Sequence, residues 1–130
     1  MLTLLAATLA KSVAAQEADP KETPLGHATL LVTSAADTAE FEKLLREFCA
    51  AEHLKLLRNS RIVNGRLVLD FSTSAVEKTF FSATNDPAPG SFDIYVYSRA
   101  PRESWEPFWN RLIQHIRQGV GANRIFVSRW

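Results

Sequence analysis

The sequence predicts an α+β fold, a two-layer sandwich in which two helices cover one face of an antiparallel or mixed sheet of about four to six strands. Three observations carry this prediction: two segments with apolar residues at helical spacing, an Asn-Gly turn between two apolar runs, and one cleanly alternating strand. Two helices that each bury one apolar stripe need a shared sheet face. The economical arrangement is a ferredoxin-like, split βαβ variant with an extra strand or hairpin between its halves.

Residues 103–120 give the strongest helical pattern. Pro107 falls in the first turn, where the missing N–H removes no intrahelical hydrogen bond. Gly119 and Gly121 end the helix because glycine accepts the left-handed conformation that closes it. The apolar residues of this segment form one stripe, which predicts a core helix: Trp105, Phe108, Trp109, Leu112, Ile113, Ile116 and Val120.

A strand and a helix are predicted earlier in the chain. His27–Thr33 is a short apolar run with a β-branched end, which indicates a buried strand. Asp37 and Glu40 have the spacing of a capping box, which predicts the start of a helix that runs to about His53. The stripe of this helix consists of Phe41, Leu44, Leu45 and Phe48.

The pair Asn64-Gly65 is the strongest local signal in the chain. Both residues of a type I′ turn need a positive φ, and Asn-Gly supplies them, so Ile62-Val63 and Leu67-Val68 are expected to face each other across a hairpin. In the outgoing strand, alternation divides the side chains between the two faces. We expect Leu67, Leu69 and Phe71 to point towards the helices, and Arg66, Val68 and Asp70 to point away.

The remaining segments are shorter. Residues 75–83 fit either a helical turn or a strand, and Thr79-Phe80-Phe81 favours the strand. Residues 84–91 contain two prolines and a glycine and indicate a loop. Residues 92–98 alternate, with Tyr95 and Tyr97 away from the core. The last strand is predicted at 124–130, with Ile125 and Val127 inward.

The chain of 130 residues is predicted to hold one folded domain, residues 27–130. Residues 1–15 resemble a secretory signal peptide, although no basic residue precedes the apolar run and Lys11 interrupts it. Residues 16–26 then form a polar linker, and the protein is expected to be exported, periplasmic or secreted. The alternative is a short cytoplasmic helix or a misplaced start. The apolar run is shorter than the ~20 residues that span a bilayer, so no integral membrane protein is predicted.

Charge and residue chemistry exclude several kinds of site. The net charge is +1, with eight acids against three bases in residues 16–53 and eleven bases against six acids in residues 54–130. Cys49 is the single cysteine, so neither an intramolecular disulfide nor a cysteine zinc site is expected. Cys49 and His53 share a helix face, yet a buried core thiol is the simpler interpretation. No catalytic residues, metal ligands or cofactors are predicted.

The leading hypothesis is a small non-catalytic binding module, for example an inhibitor or immunity-type protein. Its surface would be the sheet face without helices together with a basic hairpin, because tyrosine and arginine are enriched at interface hot spots. The partner is expected to be an acidic or amphipathic protein, and the sequence leaves its identity and the oligomeric state open. The binding residues are predicted to be Tyr95, Tyr97, Arg58, Arg61 and Arg66.

Two alternatives from other functional classes remain. The first is a small enzyme with a pocket between the uncovered sheet face and the 84–91 loop, in which Asp70 or Asp93 acts with a histidine in acid–base catalysis. The second is binding of single-stranded nucleic acid by stacking on the exposed tyrosines. Residues 65–71 lack the aromatic pair of such RNA-binding sheets, and the sequence pI of about 7.9 is low for this function. Nucleic acid is therefore the least favoured partner.

Overall fold

A computed structural model describes residues 23–74, 78–86, 88–99 and 105–128. Within these residues the chain forms a six-stranded antiparallel sheet and two α-helices, which confirms the predicted α+β sandwich. The predicted signal (1–15) and most of the linker (16–26) lie outside the described residues. The elements are β1 (Gly26–Leu31), α1 (Ala35–Ala51), β2 (Leu56–Val63), β3 (Arg66–Thr73), β4 (Thr79–Thr84), β5 (Ser91–Ser98), α2 (Trp105–Val120), a 3-10 turn (Ala122–Arg124) and β6 (Ile125–Val127).

The strands lie in the order β2-β3-β4-β5-β1-β6, and every neighbouring pair is antiparallel. The first strand therefore lies between the two that come last in the chain. Each crossover between non-neighbouring strands carries a helix: α1 follows β1, and α2 joins β5 to β6. Both helices contribute to the same buried cluster as one face of the sheet. The folded layers are thus one sheet and one pair of helices.

Aromatic packing holds the two layers together. Phe41 of α1 lies 4.9 Å from the ring of Phe92 and 6.0 Å from that of Phe71, measured between ring centroids. All three rings are fully buried, and each contributes roughly 1.5–3 kcal/mol of hydrophobic free energy. At the other end, Trp109 packs so closely on Gly26 that a Cβ there would lie 3.2 Å from the indole. A side chain at this position would therefore require the side chains of Trp109 and Val96 to shift by a few tenths of an ångström.

The predicted hairpin is confirmed. Asn64 and Gly65 have φ values of 53° and 77°, as a type I′ turn requires. Ile62 lies opposite Leu67, and Val63 lies opposite Arg66. The strand predicted within residues 75–83 is also confirmed for its described part, because β4 begins at Thr79.

The start of α1 differs from the prediction. The N-cap is Ser34, whose Oγ accepts a hydrogen bond of 3.1 Å from the Asp37 backbone N–H. Asp37 is instead the third helical residue, and its Oδ2 accepts hydrogen bonds from the backbone N–H (2.9 Å) and hydroxyl (2.7 Å) of Thr33. These bonds hold the pKa of the Asp37 carboxyl below its usual value. The capping pair therefore lies one turn earlier than the Asp37–Glu40 pair.

Three apolar side chains point to the predicted faces, but their burial does not follow from those directions. Val68 is fully buried although it points away from the helices, whereas Leu67 points to the helix side and is 53% exposed. Leu67 lies next to the hairpin turn, beyond the reach of the helix layer. Val127 lies on the inward side as predicted, opposite Ala28, and is nevertheless 43% exposed, because the described part of β6 is a three-residue edge strand.

Cys49 belongs to the core, as the sequence suggested. It is buried among apolar residues, and this burial raises the pKa of its thiol to about 11. His53 closes α1 with a positive φ of 59° and lies exposed. A reactive Cys49–His53 pair is not formed in this arrangement.

Replacement of the hairpin glycine isolates the contribution of backbone conformation. A Cβ on Gly65 would meet no atom within 4 Å, so Gly65→Ala changes only the cost of its positive φ. We expect a loss of about 1–2 kcal/mol in the free energy of unfolding, measured by urea denaturation. Gly90→Ala is the matched control because its nearest contact is at 4.0 Å and its φ is not left-handed. Equal stabilities of the two variants would contradict the turn assignment.

Candidate functional site

The second face of the sheet carries side chains of a different character from the helix-covered face. We call it the open face and define it by alternate residues of the strands and by the residue after β6. Cross-strand pairs place Tyr95 beside both His27 and Ser82, and Asp93 beside both Thr29 and Thr84. The open face includes His27, Thr29, Arg61, Asp70, Ser72, Phe80, Ser82, Thr84, Asp93, Tyr95, Tyr97, Phe126 and Ser128.

The ring of His27 in β1 connects Asp93 of β5 with Ser128, the residue after β6. Its Nδ1 lies 2.7 Å from the Oγ of Ser128, and its Nε2 lies 2.9 Å from Oδ1 of Asp93. We call this arrangement the Ser128–His27–Asp93 chain. The Ser128 backbone N–H donates to the carbonyl of His27 at 2.9 Å, which fixes the serine opposite the imidazole.

Two neighbours hold Asp93 and His27 of this chain in place. The hydroxyl of Thr29 donates to the same Asp93 oxygen at 3.2 Å, and the ring of Tyr95 stacks on the imidazole with centroids 4.8 Å apart. The side chains of His27 and Asp93 are 17% and 22% exposed. The chain is thus partly shielded from water and still accessible at the surface.

Asp70 and Asp93 do not lie side by side on the open face. Strand β4 lies between their strands, and its residue Thr84 is the cross-strand partner of both. Asp93 is engaged with His27, while Asp70 accepts a hydrogen bond from Arg61. The acid–base alternative is therefore confined to Asp93 and its histidine.

A hollow of about 260 Å³ lies between β2 and β5 on the open face. Ser72, Ser82 and Thr84 form its floor, because β3 and β4 carry small hydroxyl side chains here between larger neighbours. Larger side chains that also line it are Arg61, Asp70, Asp86 and Tyr97. The hollow therefore offers hydroxyl groups below and charged and aromatic groups at its rim.

Two of the three predicted arginines, Arg61 and Arg66, lie together beside Asp86, and Arg58 is separated from them. Arg61 donates from Nε to Oδ2 of Asp70 at 3.0 Å, and this hydrogen bond raises the pKa of its guanidinium. Arg66 donates to Asp86 at 3.1 Å. Arg58 lies on the opposite face, 3.4 Å from Glu42 of α1. Residues three apart on a strand point to opposite faces, a rule that could have separated Arg58 from Arg61 in the sequence.

The two predicted tyrosines do lie together on the open face. Tyr97 stacks on Phe80 with centroids 5.1 Å apart and ring planes 12° apart, and the guanidinium of Arg99 lies 5.0 Å above Phe80. Tyr95 lies two residues before Tyr97 on the same face of β5 and directly opposite His27 on the neighbouring strand. Burial raises the pKa of the Tyr95 phenol above its usual value, with smaller contributions from the charges of Asp93 and Tyr97.

A second concavity, a groove of about 550 Å³, lies at the surface between the helices. Arg111 there donates two hydrogen bonds to Glu52, at 2.7 and 2.9 Å. His115 lies partly buried beside Phe48, with its Nε2 3.3 Å from Glu47. These contacts join the two helices.

Within the described part of the chain, no group of three or more His, Cys, Asp or Glu residues could hold a metal ion. Among the same residues, no helix has the length and apolar character needed to cross a membrane.

Comparison with known proteins gives no match: no family model, no curated protein and no solved structure is significantly similar to this chain. The function must therefore be argued from the chemistry of the open face.

His27 and Ser128 were not among the candidate site residues from the sequence. They are separated from each other by 101 positions, and His27 is separated from Asp93 by 66. No local spacing indicates such a contact. Only the strand order, with β1 between β5 and β6, brings the three residues together.

The pKa of Tyr95 provides a test of the geometry around Asp93. Replacement of Asp93 by asparagine removes a negative charge that disfavours the tyrosinate, so the pKa of Tyr95 is expected to fall. It should stay above the usual value because burial is the larger cause. Titration of ¹³C-labelled tyrosine by NMR separates Tyr95 from Tyr97. Asp70→Asn is the control, and an equal shift in both variants would contradict the arrangement.

Proposed function

We propose that this protein is a binding module that holds a segment of a partner protein on its open face. The observation that carries the proposal is the hollow of about 260 Å³ beside Tyr97, with hydroxyl groups on its floor. Cavities that enclose drug-sized ligands typically measure about 300–1,000 Å³. The smaller volume favours insertion of one side chain from a partner over enclosure of a separate small molecule.

The aromatic wall of the hollow is already ordered. Tyr97 is stacked on Phe80, and Arg99 covers the ring of Phe80. A side chain that is held in place before binding loses less rotamer entropy on association, which favours affinity. Tyrosine also combines a large contact area with a hydroxyl group, as in many hot spots. Tyr97 is therefore the proposed anchor of the interface.

The charges around the hollow favour an amphipathic partner over a strongly acidic one. Arg61 lies next to Asp70 and Asp86, and Arg66 also donates to Asp86. These acids offset the positive charge of the hairpin on this side of the sheet. A polyanion such as single-stranded nucleic acid would gain little from such a surface, because its affinity depends on neutralising phosphates with free basic side chains.

The proposed framework for this surface is a ferredoxin-like, split βαβ fold with an inserted hairpin. The order β6-β1-β5-β4, with a helix in each crossover, supports this interpretation, and β2-β3 would be the insertion at one edge. Export through a signal at residues 1–15 remains part of the proposal. The partner would then be a periplasmic or extracellular protein, and an inhibitor or immunity-type role is one form of such binding.

Acid–base catalysis on the same face is the second candidate function. One observation favours it, the Ser128–His27–Asp93 chain with its distances of 2.7 and 2.9 Å. A histidine within hydrogen-bond reach of both a hydroxyl and a carboxylate is the arrangement that general-base catalysis uses.

The binding proposal is tested with variants of residues that line the hollow and with a control on the opposite face of β2. Proteins retained by the immobilised full chain from its native host are identified by mass spectrometry, and the dissociation constant of each is then measured with purified components. Tyr97→Ala and Arg61→Ala are expected to weaken binding at least about tenfold, or ~1.4 kcal/mol. Arg58→Ala is the matched control, because Arg58 and Arg61 lie on the same strand and each is 45% exposed.

The control is expected to change the dissociation constant less than about twofold, since Arg58 lies on the other face. Urea unfolding of all variants separates lost contacts from lost folding. A partner that binds the Tyr97→Ala and Arg61→Ala proteins as tightly as the wild type would contradict the proposed surface.

A further inference from the structure

We propose that Ser128 is a nucleophile activated by His27, and that it accepts the acyl group of a small, uncharged ester with an apolar or aromatic substituent. This activity goes beyond binding and does not depend on the hollow, because Ser128 and His27 are not among its lining residues. It develops the acid–base alternative into a specific reaction with a named nucleophile.

The direction of proton transfer follows from the partners of the imidazole. An ionised carboxylate can only accept hydrogen bonds, so Asp93 at 2.9 Å requires a hydrogen on Nε2 of His27. In the neutral ring, Nδ1 then carries a lone pair instead of a hydrogen. Ser128 lies 2.7 Å from that nitrogen, so its hydroxyl donates to Nδ1. His27 is thereby oriented as a base towards the serine.

The supporting contacts hold this tautomer and the position of the ring. Asp93 also accepts from the hydroxyl of Thr29, which fixes the carboxylate on the His27 side. Tyr95 stacks against the imidazole, and the Ser128 N–H donates to the His27 carbonyl. Each member of the chain is therefore positioned by a second contact, as a nucleophile, a base and an orienting acid require.

Acylation moves one proton and releases one alcohol. Nδ1 of His27 takes the hydroxyl proton of Ser128 as Oγ forms a bond to the ester carbonyl carbon. The C–O bond to the alcohol breaks, and the departing oxygen receives the proton from Nδ1. Water then attacks the acyl-serine with His27 again as the base, which releases the carboxylic acid and restores the serine. No oxidant, reductant or metal is consumed.

The neighbours of Ser128 indicate the substrate class. Phe126 projects from β6 on the same face, two residues from Ser128, and is 52% exposed. On the other side of the imidazole lies the ring of Tyr95. These aromatic surfaces favour an apolar or aromatic group on the ester. The charge of Asp93 disfavours an anionic substrate, so the ester is proposed to be uncharged.

The test uses the purified full chain and two probes. A fluorophosphonate forms a bond from the serine oxygen to phosphorus as fluoride leaves, and peptide mass spectrometry locates the label. p-Nitrophenyl acetate reports acylation as an early release of p-nitrophenol. We expect stoichiometric labelling of Ser128, and about a hundredfold or greater loss of acylation rate in Ser128→Ala and His27→Gln, since general-base assistance is worth about 10²–10⁴-fold.

Asp93→Asn is expected to lower the acylation rate and to alter its pH profile, because an amide no longer requires the hydrogen on Nε2 of His27. Ser60→Ala is the control, an exposed serine on the face of β2 opposite to the open face, and should keep the full rate. Labelling at Ser60 or elsewhere with Ser128 unmodified, or an unchanged rate in Ser128→Ala, would overturn the proposal. Partner binding is tested by the dissociation constants of other variants, Tyr97→Ala and Arg61→Ala, so the two proposals can fail separately.

Discussion

The burial of two helical stripes on a single sheet face is the constraint on which the rest of the structure depends. Helices α1 and α2 each present one apolar side. These sides pack against the rings of Phe71, Phe81 and Phe92 on the facing side of the central strands. Alternation along each strand then sends every second side chain to the opposite face. Selection for a well-packed core therefore leaves the open face free to carry polar and aromatic groups.

Polar groups on the open face are satisfied largely by one another. His27 bridges Ser128 and Asp93, and Arg61 donates to Asp70. Such contacts order side chains that would otherwise move freely in water, and an ordered surface binds with a smaller entropic cost. The same ordering is what an acid–base site requires. The proposed binding at the hollow and the proposed reactivity of Ser128 would both follow from one arrangement of strands.

Local patterns in the sequence predicted the framework well. The stripe of α2, the Asn64-Gly65 turn and the alternation of β5 each depend on neighbours within a few positions, where spacing determines geometry. The start of α1 was misplaced because Ser34-to-Asp37 and Asp37-to-Glu40 have the same spacing, and only the hydrogen bonds that Asp37 makes with Ser34 and Thr33 decide between them. The His27 contacts were out of reach because they depend on strand order, which local spacing does not determine.

The tautomer of His27 tests the central claim, that this imidazole organises the open face between Asp93 and Ser128. Nitrogen-15 chemical shifts of the neutral ring distinguish a hydrogen on Nε2 from one on Nδ1. The account predicts a neutral ring with the hydrogen on Nε2, and a loss of this preference in Asp93→Asn. A hydrogen on Nδ1, or an even mixture that Asp93→Asn leaves unchanged, would contradict it.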